Sequence, residues 1–365
     1  MDAHRCRFVP FPASEINTLA FSHPADPLRA TPINLRLAIG RSSGDIEIWN
    51  PSGGRWAQEI ILRGGSDRSI EGLAWTHDLE AEDYEGRKTP GKLRLFSIGL
   101  SNVVTEWDLA LGNPLRHSGG SYGEVWCIAA QPRWTKDSLT EKSEQLIALG
   151  CVDGSIVLHT TADEDLVYLR MFARTSAKKP RVLCLAWQNR TRIVAGCSDS
   201  TIRAFDIVGK GKQVGNMTLG GGRKGKPLAV LIWTVKCSAQ NNTIISGDST
   251  GEIKIWNADN YTLLQRLESH TADILDLAIS VDGLTMLSGG MDRKTAMYHR
   301  STTKTKSDKG QWEKAFHKRV HQNDVKAMAS FESKDLSIVV SGGNQCHLVL
   351  RECPSDLPQD LILNR

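Results

Sequence analysis

Three sets of residues in this 365-residue chain have types and spacings that could do chemistry. The first runs from Gly220 to Lys226 as G-x-x-x-x-G-K, the spacing with which backbone N–H groups and a lysine cradle phosphate. Pro227 stands where a serine or threonine would hold magnesium, and no helix is expected to follow, so nucleotide binding is not expected. What remains is charge: Lys210, Lys212, Arg223, Lys224 and Lys226 share the segment Gly209 to Pro227 with seven glycines. This segment reads as one flexible basic loop, suited to RNA phosphate or an acidic partner, or as a plain solvated linker.

The second set is also basic. Lys304, Lys306, Lys309, Lys314, Lys318 and Arg319 lie between Arg300 and Arg319, with Trp312 and Phe316 placed on an outer strand. Lysines at such an edge serve equally to bind a partner or to keep the edge from pairing with another chain. The third set is His270, Ser288, Asp292 and Tyr298. A His and an Asp could suggest catalysis, yet a buried pair of this kind needs mutual hydrogen bonds, which makes it a structural network. Trp126 and Trp233 each follow the opening Ile or Val of a strand, where most copies carry other residues. They are either core or part of a partner surface, where tryptophan is favoured. The eight cysteines are scattered with no C-x-x-C pair, so neither a zinc knuckle nor a redox motif is written there. No catalytic, cofactor-binding or metal site is expected.

Bulk numbers set the class. Hydrophobic residues make up 40% and charged residues 24%, a globular composition. A net charge of +4 permits nucleic-acid contact without arguing for it. No apolar run approaches the roughly 20 residues of a membrane span, and the start lacks a secretory signal.

The elements that position these residues repeat. Ile or Val, two variable residues, an apolar residue and usually Ala recur from Ile16, Ile70, Val125, Val182, Ile232, Ile274 and Val325, 42 to 57 residues apart. Lys236 alone replaces the Ala. After each copy comes a β-rich run ending near Gly, a tight turn and an alternating run ending in most copies on an aromatic or His, as from Gly40 to Trp49 and Gly150 to His159. Strand, hairpin and outer strand at this period predict propeller blades, which bury their faces only against one another. The expected fold is all-β: one seven-bladed β-propeller over residues 1–365. The stretch 4–11 is expected to pair with the last blade and close the ring. The insertion from His77 to Lys92, acidic then basic, reads as an unstructured excursion.

The Gly-to-aromatic spacing, with Trp107-Asp108 and Phe205-Asp206, resembles the WD repeat; the stretch from His270 to Tyr298 comes closest to its hydrogen-bond network. A narrower likeness runs through Arg5 to Phe8, Phe96 to Leu100, Glu106-Trp107-Asp108-Leu109, Val125-Trp126 and Leu183 to Trp187. It continues through Trp233, Thr243 to Ser246, Trp256, His321, Asp324-Val325, Ser341 to Gly343 and His347 to Val349. Together these resemble the amino-terminal propeller of the cirhin-type U3 small nucleolar RNA-associated proteins of the small-subunit processome. The insertions at 78–92 and 133–144 depart from that family. The resemblance implies a non-catalytic nucleolar scaffold in the nucleus, supporting pre-rRNA transcription and 18S rRNA processing. Its implied partners are other subunits of the UTP-A subcomplex, with precursor ribosomal RNA (5′ external transcribed spacer) a further candidate. No membrane and no small-molecule substrate are implied. It also implies a second propeller, making this chain the amino-terminal half of a tandem. The alternative is a peptide-recognising adaptor such as a ubiquitin-ligase substrate receptor.

Overall fold

The structure is a computed structural model that describes residues 2–5, 14–51, 56–65, 68–82, 88–89, 91–136, 138, 140–172, 180–220, 229–301, 310–344 and 349–352. The described residues form an all-β propeller of the WD-repeat type. Seven innermost strands, Ile16–Phe21, Gly72–His77, Val125–Ala130, Val182–Trp187, Ile232–Ser238, Ile274–Ile279 and Val325–Glu332, each begin a four-stranded antiparallel sheet. Six of these blades use consecutive segments of chain. The seventh sheet is composite: Val325–Glu332, Ser337–Gly343 and Val349–Glu352 take their fourth strand, Asp2–Arg5, from the start of the chain. Innermost strands pack in sequence, and Val325–Glu332 packs back on Ile16–Phe21.

The core lies in the seams between blades. Middle strands are covered on both sides, so successive residues feed different seams. In blade 1, Leu37, Ile39 and Trp49 pack with Ala327 and Val340 of the seventh sheet, whereas Ala38, Ile46 and Ile48 pack with Leu73, Trp75 and Leu95 of blade 2. The outermost strands see one neighbour or none, and their burial falls away, as in Leu263–Glu268.

The two sequence signals are halves of one contact. In six of the seven seams the opening Ile or Val of a blade packs against the second-strand glycine of the blade before it; Gly99 instead meets the Ser69 carbonyl. A Cβ at Gly247 would come within 2.6 Å of Ile274 Cγ2, and one at Gly342 within 2.9 Å of Ile16 Cγ2. Gly40, Gly150, Gly196 and Gly289 are blocked in the same way by Ile70, Val182, Ile232 and Val325. The Gly342–Ile16 contact makes the last seam of the same kind as the others.

Three expectations are refined. The closing strand pairs as Asp2↔Glu352 to Arg5↔Val349, beginning two residues before the expected 4–11 and overlapping it at residues 4 and 5; residues 6–13 lie outside the described ones. A second clasp was not foreseen: Asp26 bridges Ser333, and Thr31 Oγ1 lies 2.7 Å from Ser333 Oγ. The insertion after His77 is not simply an excursion, because Ala81–Glu82 pairs with Lys88–Thr89. Its base is fixed by His77, whose Nε2–H donates to the Ser22 carbonyl at 2.7 Å and whose backbone N–H donates to Gln145. Third, Gly209 to Pro227 is not a single loop. Lys212–Thr218 is the outermost strand of blade 4, paired with Thr201–Asp206.

Candidate functional site

The most complete polar constellation is in blade 6. His270 precedes the innermost strand, Ser288 sits on the second strand, Asp292 in the turn that follows and Tyr298 on the third strand. His270 Nδ1 lies 2.8 Å from Asp292 Oδ1; a carboxylate only accepts, so this nitrogen donates. Nε2 then accepts from the Ser288 hydroxyl at 2.7 Å. Tyr298 reaches them through Ser269, donating its O–H to Ser269 Oγ at 2.6 Å, with Ser269 Oγ 3.3 Å from Ser288 Oγ. The result is a one-way chain of donors ending on Asp292, which also accepts the backbone N–H groups of Thr271 and Lys294. Burial pushes the Asp292 carboxyl up, but His270 and the two N–H donors outweigh it and hold it at about 2. With every member satisfied, this arrangement ties the turn and three strands together.

Other blades keep fragments of the same device with substituted parts. Trp107 and Trp256 donate their indole N–H to Ser97 and Ser246, at 2.8 and 3.0 Å. Trp49 donates instead to Glu47, which also pairs with Arg41. His321 Nε2 lies 2.8 Å from Ser341 Oγ in the seventh sheet. In blade 3 the aromatic position is His159; it is fully buried and neither ring nitrogen has a hydrogen-bond partner. Burial lowers its pKa from 6.5 to about 4, so the imidazole is neutral.

Trp126 and Trp233 occupy equivalent places. Each is the extra residue of a β-bulge at the start of its innermost strand, between Val125 and Cys127 and between Ile232 and Thr234. Both are half-buried, and Trp233 donates its indole N–H to Asp273 of blade 6 at 2.8 Å. At the bulge positions of Ile16–Phe21 and Val325–Glu332 stand Asn17 and Lys326. Asn17 bonds Ser69 and Glu71, and Lys326 pairs with Glu15. Asn17, Trp233 and Lys326 therefore reach from their bulges to the neighbouring blade.

The basic residues separate. Lys210 is exposed in the turn leading to the outer strand of blade 4, and Lys212 is exposed as its first residue. Arg223, Lys224 and Lys226 lie outside the described residues, as do Lys304, Lys306 and Lys309. Lys314 and Lys318 are on the strand Trp312–Arg319, which pairs with Lys294–Arg300 as the outer edge of blade 6.

Sequence reading missed several partners. Ser269 is one, although it adjoins His270. Another is Arg94, a fully buried guanidinium bonded to Glu106, to Asp78 and to the carbonyls of Thr161 and Asp165. Those partners are up to 71 residues away, and no local pattern marks them. Arg190 similarly fastens the 133–144 insertion, donating to Pro132 and Thr140 and to Ser143 Oγ at 2.8 Å.

The WD domain, G-beta repeat family matches residues 171–206 and 261–299, the second stretch containing the blade 6 network. U3 small nucleolar RNA-associated protein 4 of Saccharomyces cerevisiae is 38% identical over 97% of this chain and 43% of that protein. Its Schizosaccharomyces pombe counterpart is 39% identical over 94% of the chain and 44% of that protein. The human homolog is 28% identical over 95% and 45%. The chain spans less than half the length of each relative.

Proposed function

We propose that this chain, homologous to U3 small nucleolar RNA-associated protein 4 over nearly all its length, is a non-catalytic scaffold of the small-subunit processome. The similarity at 38–39% identity, continuous across the blades, is the observation that carries the reading. On this reading the chain works in the nucleolus, in pre-rRNA transcription and 18S processing, with other UTP-A subunits as partners. Its seven blades form the amino-terminal ring of a tandem-propeller protein. The geometry supports a structural use of the polar residues, since His270 and Asp292 spend their hydrogen bonds on tying strands together. Lys210 and Lys212 present charge at the rim of blade 4, suited to phosphate.

Affinity purification of the tagged full-length protein tests the reading. Co-recovery of U3 small nucleolar RNA and processome subunits is expected; recovery of ubiquitin-ligase subunits in their place would favour the peptide-adaptor alternative. For direct RNA contact, replacing Arg223, Lys224 and Lys226 together by Glu is expected to lower RNA crosslinking several-fold at physiological salt. Unchanged crosslinking removes that loop from the RNA-binding surface.

A further inference from the structure

We propose that blade 6 carries a divalent metal site of the zinc class, formed by His270, Asp292 and His317. Three separate segments converge there: the link before the innermost strand, the turn after the second strand, and the outermost strand. Their ligand atoms lie within 4.8 Å of one another. Asp292 Oδ1 is 2.8 Å from His270 Nδ1, and Asp292 Oδ2 is 3.7 Å from His317 Nε2. Tetrahedral zinc with ligands at about 2.0–2.2 Å needs donors roughly 3.3 Å apart, so the three donors, all within 4.8 Å of one another, would draw slightly closer around an ion. The two imidazole rings meet edge to face with centroids 5.2 Å apart.

The network explains His270 and Asp292 but leaves His317 over. Its Nε2 is shielded from solvent and has no hydrogen-bond partner, and it points at the Asp292 carboxylate across a gap too long for a hydrogen bond. The seventh sheet does not repeat the arrangement: His321 bonds Ser341, and Asn344 stands in the turn. Two imidazoles and a carboxylate are a borderline donor set, and three protein ligands leave a fourth position for water.

Metal binding would replace the His270–Asp292 hydrogen bond and reverse the one between His270 and Ser288. His270 would change tautomer, its proton moving from Nδ1 to Nε2, with no net proton gained or lost. Nε2–H would then donate to the Ser288 hydroxyl, which rotates from donating to accepting. Ser288 thereby becomes the outer partner that fixes a metal-bound histidine. Lys314 on the outer strand donates to the carbonyls of Glu268 and Ser269.

The test uses the full chain stripped with chelator and titrated with Co²⁺, read by its visible absorption, then displaced with Zn²⁺. A tetrahedral Co²⁺ band with one equivalent bound is expected, together with a rise in melting temperature on adding Zn²⁺. His317→Ala removes a group that makes no hydrogen bond, so the variant should fold while binding at least about tenfold more weakly and losing the zinc-induced shift. His117→Ala, at an exposed rim histidine, should behave as the parent chain. No Co²⁺ band at saturating metal, or equal binding by the parent and the His317→Ala chains, would overturn the site.

Discussion

At the residue scale, stability in this chain depends on how fully each buried polar group is paired. Arg94 and His270 are buried with full sets of partners, whereas His159 is buried with none. His159 therefore has a cost that depends on pH. Its folded pKa near 4 lies below the unfolded 6.5, so the unfolded chain takes up the proton first. Stability is complete above pH 6.5 and is lost progressively as pH falls toward 4. His159→Phe keeps the ring and deletes the unpaired nitrogens. We expect it to raise stability at pH 7 by about 1 kcal/mol or more and to flatten the dependence between pH 6.5 and 4, as measured by urea unfolding across that range. The second-strand glycines are the apolar counterpart. Gly247→Ala places a methyl inside the contact radius of Ile274 and should cost about 1–3 kcal/mol in the same assay.

At the element scale, the inner strands and their hairpins were legible and the outer and closing strands were not. Innermost strands announce themselves by Ile or Val followed by an apolar residue three positions on, because those side chains enter two seams. The Gly-to-aromatic hairpins were equally plain. The segment Gly209 to Pro227 misled because its glycines and lysines look like loop, yet Lys212–Thr218 pairs along a full outer strand. An outer strand is covered on one side at most, so its sequence is free to be polar. The closing strand shows the same weakness of local signal: His4 to Phe11 has the apolar pattern, while the described pairing uses Asp2–Arg5. Deleting residues 2–5 should expose the edge Val349–Glu352, lower the melting temperature by several degrees and make association concentration-dependent. Unchanged melting would show that the Asp26–Ser333 clasp and the Gly342–Ile16 seam suffice to hold the ring.

At the scale of the whole molecule, exposed lysines and inter-blade side chains lie on different parts of the ring. Lys210 and Lys212 are exposed at the outer strand of blade 4; Trp126, Asn17, Trp233 and Lys326 sit at bulges on the innermost strands. If the scaffold reading holds, the triple Glu replacement at Arg223, Lys224 and Lys226 should weaken RNA crosslinking while co-purified subunits stay bound. Loss of both together would place one partner surface on the loop.

By itself the sequence determined that the chain repeats, that the repeats are blades, and that His270, Ser288, Asp292 and Tyr298 form one set. Each of those follows from side chains close in sequence or from a period, and periods survive without coordinates. Only the tertiary structure decided that Ser269 completes the network, that His317 faces it, and that Arg94 gathers carbonyls from the next blade. Such contacts cross seams between distant segments, where partner identity is set by the closing of the ring and by no local pattern. Of the residues whose spacing first suggested chemistry, the phosphate-like run after Gly220 lies outside the described residues, and the His–Asp pair is a strand tether with one unclaimed imidazole beside it.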